Sequence, residues 1–230
     1  MRILLSLATA IIILAVALVV LLTPVWTHFA HSLSYYAGDT MCTFPSDRAL
    51  CYGLSGADVV AVSDQTVHSL IFSGDFSFIG PENVSHGQPF YTEAEQSHMR
   101  DVRVVLFGFM GLAIISAAFV VASLIRAPRD AAHWAAIGRG GIWLIVTMAV
   151  LGVFALVAFD TVFTLFHEIF FPGGNWSFAV DSHLILTYNE VFWELCSAGL
   201  FGLSVLGATI VWVLAHARVE MLGTAEGGRA

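Results

Sequence analysis

The chain contains no lysine: its nine basic residues are all arginines, set against 17 acidic ones for a net charge of −8 over 230 residues. Only 11% of its residues are charged, far below what solvates an ordinary soluble domain. No nucleic-acid partner is expected of so acidic and apolar a chain. Nucleophile signatures are missing as well. There is no Gly-x-Ser-x-Gly elbow and no phosphate loop, and the pair His167-Glu168, which opens like a zinc-protease helix, has Phe171 where the second histidine ligand would have to stand.

What the chain has instead is hydrophobic length, 58% of it. Residues 3–22, 104–125, 142–159 and 191–214 form four runs, each about the length needed to cross some 30 Å of hydrocarbon. The expected fold is therefore an all-α membrane protein: four transmembrane helices, with a small extracytoplasmic domain between helices 1 and 2. The first run reads as an uncleaved anchor, because its apolar stretch exceeds the roughly 7–15 residues of a signal peptide's core.

Arg126, Arg129 and Arg139 lie between the second and third runs, whereas the connection between the third and fourth has no basic residue. Arginine retention on the cytoplasmic side then places that loop and both termini (Arg2, Arg218, Arg229) inside. The expected division is transmembrane helix 1 over 1–26, the extracytoplasmic domain over 27–98, helix 2 over 99–126, a cytoplasmic loop over 127–141, helix 3 over 142–167, an extracytoplasmic aromatic loop over 168–190, helix 4 over 191–216, and a cytoplasmic tail over 217–230.

Within the first outer segment, a short helix is expected after Ser55 or Gly56. Residues 71–79 alternate apolar and polar as a strand or hairpin does, or form a loop whose Phe side chains dip into lipid. Cys42 and Cys51 share this segment, and a bridge between them would add about 2.5 kcal/mol; two free thiols are the alternative. Cys196, inside the fourth run, reads as a small buried apolar residue.

Two histidines stand where helices meet the outer boundary. Thr92 and Glu95 make a Thr-x-x-Glu capping box, so His98 is carried on rigid helix. Glu95 and Asp101 lie three residues to either side of it and share its face, where a carboxylate fixes a tautomer and raises basicity. His167 ends the third run. Asp160, two turns before it, is expensive near a membrane unless paired or facing a wet cavity, and Arg103 on the neighbouring helix is the obvious candidate partner. Beyond His167 follows the turn-rich aromatic stretch 170–178 with Trp176, and Glu190 opens the fourth run. Paired imidazoles flanked by carboxylates are equipped for proton transfer on a lipid-borne substrate. Interfacial packing in a membrane scaffold, or a metal or haem site built on His98 and His167 with Glu190, are the rival readings.

Three patterns, Tyr91-Thr92-x-x-Glu95-x-x-His98-Met99-x-Asp101-Val102, Phe166-His167-x-x-Phe170-Phe171 with Trp176, and Glu190-x-Phe192-Trp193, together resemble the bacterial membrane family of the lipoprotein intramolecular transacylase, Lit. The resemblance covers most of the chain in order and spacing, most loosely in the first outer segment. It departs at Asn189, where the pattern leads one to expect proline. It implies an acyltransferase that moves the sn-2 acyl chain of a diacylglyceryl lipoprotein to its N-terminal cysteine amine. The resemblance also implies His98 and His167 as catalytic residues, and a diacylated lipoprotein and membrane lipid as partners, with no cofactor or metal. Around the histidines, Glu95, Asp101, Arg103, Asp160, Trp176 and Glu190 are the expected supporting residues.

Overall fold

The computed structural model describes residues 1–38 and 53–227; Cys42, Cys51 and the bridge expected between them lie outside the described residues. Described elements are helical: α1 (Arg2–Leu21), α2 (Pro24–Gly38), α3 (Gly56–His68), a π-helical turn (Ser69–Ser73), α4 (Glu82–Ser85), α5 (Glu93–Arg126), α6 (Ala131–Phe170), α7 (His183–Thr187) and α8 (Glu190–Gly227). Four of these, α1, α5, α6 and α8, are long and apolar enough to cross a membrane. At 20 residues, α1 is ~30 Å long, the thickness of the hydrocarbon itself. The 34 residues of α5 and 40 of α6 give helices of ~51 and ~60 Å, longer than a bilayer core requires.

The chain divides into two compact units. One comprises Met1–Val20, Gly108–Ala158 and Ala198–Ala230, the other Leu21–Phe107 and Phe159–Ser197.

The first unit is packed through small residues. A Cβ on Gly140 would come 2.3 Å from the Ser6 carbonyl oxygen, and one on Gly141 2.6 Å from that of Ala208. The backbones therefore touch, which is how helices associate where lipid is as apolar as any side chain. Ser6 adds a buried hydrogen bond from its Oγ to the Ala136 carbonyl, 2.7 Å long. Ile13, Leu144, Met148 and Ala208 form its small buried core. The expected loop at 127–141 shrinks to a few residues. Asp130 accepts from the Ala132 amide at 2.8 Å and so starts α6 at Ala131, because a carboxylate at a helix start satisfies an orphan N–H.

The second unit is aromatic and polar. Thr23 and Pro24 end the first transmembrane helix earlier than 26, since proline is suited to the first position of a new helix and ill-suited to the interior of an old one. On α2, Thr27, Ala30, His31 and Ser34 are buried while Val25, Phe29 and Leu33 are exposed, so its polar stripe faces protein and its apolar stripe does not. α3 is held at its start by Ser55 and Asp58 in a capping box, as expected after Ser55.

Of the two readings of 71–79, strand or hairpin and loop, the strand does not form. The first residues of this segment belong to the π-turn, which stops at Gly74 in a left-handed conformation (φ 73°). Only an isolated bridge joins Ile79 to Pro89, with the Phe90 amide bound to the Phe78 carbonyl at 2.9 Å. Prolines 81 and 89 lack the N–H that a ladder would need. Phe76, Phe90 and Tyr91 are almost wholly buried with Val59, Val62, Leu184, Tyr188 and Phe192. The Tyr91 hydroxyl meets Thr66 Oγ1 at 2.9 Å. Burial raises the Tyr91 phenol well above its ordinary pKa and pushes Tyr188 up to about 12, so both remain neutral hydroxyls.

Candidate functional site

His98 is placed by the first turns of α5. The Thr92 amide and hydroxyl both meet Glu95 Oε2 at 2.7 Å, and the Glu95 amide returns a 3.3 Å hydrogen bond to Thr92 Oγ1. The capping box is therefore formed. Glu95 does more than cap: it is buried, and its other carboxylate oxygen accepts from the Leu184 amide at 2.8 Å, fastening the start of α7 to α5. Its lone pairs are spent on backbone and Thr92, not on His98.

His167 sits in the last turn of α6, beyond a non-helical residue at Ala158. Its ring stacks on that of His98 with centroids 6.0 Å apart and planes inclined by 29°. Both side chains are buried, with 6% and 8% exposure. His167 Nδ1 is 2.7 Å from the Phe163 carbonyl. A carbonyl can only accept, so the proton sits on Nδ1 and the neutral ring presents its lone pair at Nε2. His98 Nδ1 is buried with no hydrogen-bond partner among the described residues.

Aromatic rings enclose the pair. Phe163 lies 4.1 Å from His167, Trp176 lies 5.0 Å from it, Phe171 is 4.9 Å from His98, and Phe178 is 5.7 Å from His98. Beside them runs a groove of about 370 Å³ lined by Asp101, Val104, Val105, Phe170, Phe171, Pro172, Gly173 and Asn175. Two imidazoles in an apolar enclosure with an apolar groove can exchange protons with a substrate whose tails are hydrocarbon.

The other expected residues divide. Trp176 is in the enclosure. Asp101 is near it, but accepts from Asn175 Nδ2 at 2.6 Å and makes no hydrogen bond to His98 among the described residues. Arg103 is turned away: its Nη2 lies 3.5 Å from the Ile71 and 3.4 Å from the Phe72 carbonyl, and its guanidinium stands 4.5 Å over Phe107. Five residues along a helix is about 140° around it from His98. The expected Arg103–Asp160 pair does not form among the described residues. Asp160 and Glu190 are both exposed and neither hydrogen-bonds to an imidazole among the described residues; among these residues no three His, Cys, Asp or Glu side chains converge.

Sequence reasoning missed the Phe163 carbonyl on His167, which no side-chain pattern signals, and the Asn175 contact. It also missed the role of Asn189. This residue caps α8 by accepting from the Phe192 amide at 3.0 Å, and its Nδ2 lies 3.4 Å from the Ser34 carbonyl. The side chain thus satisfies an orphan amide at a helix start.

Comparison with known proteins bears on this arrangement. A solved structure of the membrane-integral lipoprotein intramolecular transacylase Lit from Bacillus cereus superposes with a TM-score of 0.74 at 17% identity, covering 96% of this chain and 94% of that one. A variant of the same protein with one histidine replaced by arginine superposes at 0.66 with 15% identity, over 97% and 92% of the two chains. An uncharacterized protein of Aquifex aeolicus (strain VF5) is 23% identical over 151 residues, which are 65% of this chain and 66%, just under two thirds, of that relative. The model of the family described as lipoprotein intramolecular transacylase Lit matches residues 1–193, and the chain belongs to that family.

Proposed function

We propose that the protein is a membrane acyltransferase that moves the sn-2 acyl chain of a diacylglyceryl lipoprotein to the α-amine of its N-terminal cysteine, with His98 and His167 as the acid-base pair. The observation that carries this reading is the stacking of two buried imidazoles at 6.0 Å inside an aromatic enclosure, in a chain of the transacylase family.

The bonds balance within one substrate. The amine nitrogen attacks the ester carbonyl carbon, a C–N bond forms, the C–O bond to glycerol breaks, and the proton lost by nitrogen is matched by the one gained by the glycerol oxygen. An α-amine with a pKa near 7.7–8.0 is largely protonated at neutral pH, and a histidine near 6.5 is suited to take its proton. His167 is the better base, because its Nδ1 proton is held by the Phe163 carbonyl, which leaves the lone pair on Nε2, where no hydrogen bond forms among the described residues. His98, entering the step as imidazolium, gives its own proton to the departing oxygen, and the proton taken up by His167 is returned to His98 before the next turnover. No acyl-enzyme is required, since amine and ester belong to one molecule and effective concentration supplies much of the acceleration. The site faces outward, with Arg126, Arg129, Arg139 and both termini in the cytoplasm. The partners are the lipoprotein and the surrounding lipid.

The test uses purified protein in a bilayer with an equal mixture of two diacylglyceryl-cysteine peptides, one carrying both deuterated acyl chains and a mass-tagged peptide. N-acylated product in which each peptide keeps its own chain is the expected result. Chains that cross between peptides would overturn the intramolecular route, and absence of N-acylation with the intact protein would overturn the activity.

A further inference from the structure

We infer that Asn175 and Asp101 form a latch that seats the aromatic loop after α6 over the two imidazoles, and that both serve acyl transfer as positioning residues; the inference rests on the transacylase reading. The loop supplies Phe171, Trp176 and Phe178, three of the rings that enclose His98 and His167. Its rings hold it by packing, Phe171 being buried and Phe178 lying against the core, but its polar ties are few. Among the described residues, the Asn175–Asp101 contact at 2.6 Å is the one side-chain hydrogen bond from residues 171–181 to another part of the chain. Gly173 and Gly174 have open space where a Cβ would stand, and Gly174 turns in a left-handed conformation at φ 73°. The backbone there is not wedged in place by packing.

The other end of the contact is well anchored. Asp101 lies three residues beyond His98 on the same face of α5, so the loop is fastened to the rigid element that carries one imidazole. Asp101 and Asn175 are also the polar members of the groove beside the histidines, whose other lining residues include Val104, Val105, Phe170 and Phe171. A loop seated there keeps bulk water away from an ester poised for attack, which matters because water competes with the amine for the same carbonyl. When the latch opens, a water oxygen replaces the amine nitrogen as nucleophile. The C–O bond to glycerol still breaks, but the products are a free fatty acid and a lyso-lipoprotein with its amine bare.

This outcome separates positioning from a merely structural role. The experiment compares the intact protein with Asn175→Ala, Asp101→Ala and the reciprocal double variant Asp101→Asn with Asn175→Asp, all in bilayers with a diacylglyceryl-cysteine peptide. N-acylated product, released fatty acid and hydrogen exchange of residues 171–178 are read together. Each single variant should lose about tenfold in N-acylation rate, as expected for one hydrogen bond to a charged group, with a larger fatty-acid share and faster loop exchange. The reciprocal variant, which restores a carboxylate facing an amide, should recover all three. Loop exchange unchanged in the single variants, or a reciprocal variant no better than they are, would overturn the latch. Absence of both N-acylation and fatty acid with the intact protein would refute the transacylase reading instead, while the exchange measurements would still decide the latch.

Discussion

The two compact units of this chain are built on opposite principles. In the unit of Met1–Val20, Gly108–Ala158 and Ala198–Ala230, helices meet backbone to backbone at Gly140 and Gly141, with one buried hydroxyl, Ser6, bound across to Ala136. The unit of Leu21–Phe107 and Phe159–Ser197 instead buries Glu95, His31, His98, His167, Tyr91 and several hydroxyls among aromatic rings. Close-packed small residues let backbones approach with few large polar groups between them, although the Ser204 hydroxyl is buried there without a partner among the described residues. Buried polar groups are costly unless partnered; the first unit buries mainly hydroxyls and His133, whereas the second buries a carboxylate and three imidazoles.

The largest test of this contrast is at the histidines. Replacing His98 or His167 by Gln should lower N-acylation by at least about a hundredfold, the scale of a lost general acid or base, with protein abundance unchanged. The double variant should be little worse than either single one, because residues acting as a unit are non-additive. Additive losses measured by single-turnover assay would show that the two rings do not work together.

Glu95 comes next. Its replacement by Ala leaves the Thr92 and Leu184 amides without their acceptor, at a cost of about 3 kcal/mol, read as a lower melting temperature in detergent. Because the start of α7 is released, proteolysis within 179–190 should also accelerate.

In the other unit, Gly140→Leu forces a side chain against the Ser6 carbonyl and should cost about 1–3 kcal/mol as overpacking does. The activity of the molecules that remain folded should match that of the unaltered protein. A specific activity that falls along with stability would mean that the chemistry depends on the packing of this unit as well.

The smallest effect concerns His31, which stacks on Phe192 with centroids 4.5 Å apart and has neither ring nitrogen hydrogen-bonded among the described residues. Burial lowers its pKa from 6.5 to about 4, with His28 acting in the same direction and Asp64 against it. The unfolded chain thus takes up this proton first as pH falls. The stability contributed by keeping His31 neutral is complete above about pH 6.5 and is lost progressively toward pH 4, with roughly 1 kcal/mol gone by pH 5.5. His31→Phe should flatten the melting profile over that interval.

The features legible in the sequence are those that depend on local chemistry. Four apolar runs forecast the long helices α1, α5, α6 and α8, and Thr-x-x-Glu forecast the start of α5. The pairing of His98 with His167 followed from antiparallel runs that bring two helix ends together. What the sequence hid depends on contacts between distant residues. Asp101 looked like a neighbour of His98 by helix spacing, yet an asparagine 74 residues away takes its oxygen. Arg103 and Asp160 looked complementary in charge, yet two backbone carbonyls draw the guanidinium elsewhere. The alternation of 71–79 fitted a strand or a loop equally, and it does not track burial: Phe76 is buried while Phe72 and Ile79 are exposed.

The most direct test of the account is fragment-ion mass spectrometry of the N-terminal lipopeptide from a diacylated lipoprotein incubated in bilayers with equal amounts of intact, His98→Gln and His167→Gln protein. The intact protein should give a product of unchanged mass whose fragments place one acyl chain on the cysteine nitrogen and leave one on glycerol. Both variants should return the starting O,O-diacyl species. An O,O-diacyl spectrum from the intact protein, or N-acylation undiminished in either variant, would contradict the claim that these two histidines carry an intramolecular acyl shift.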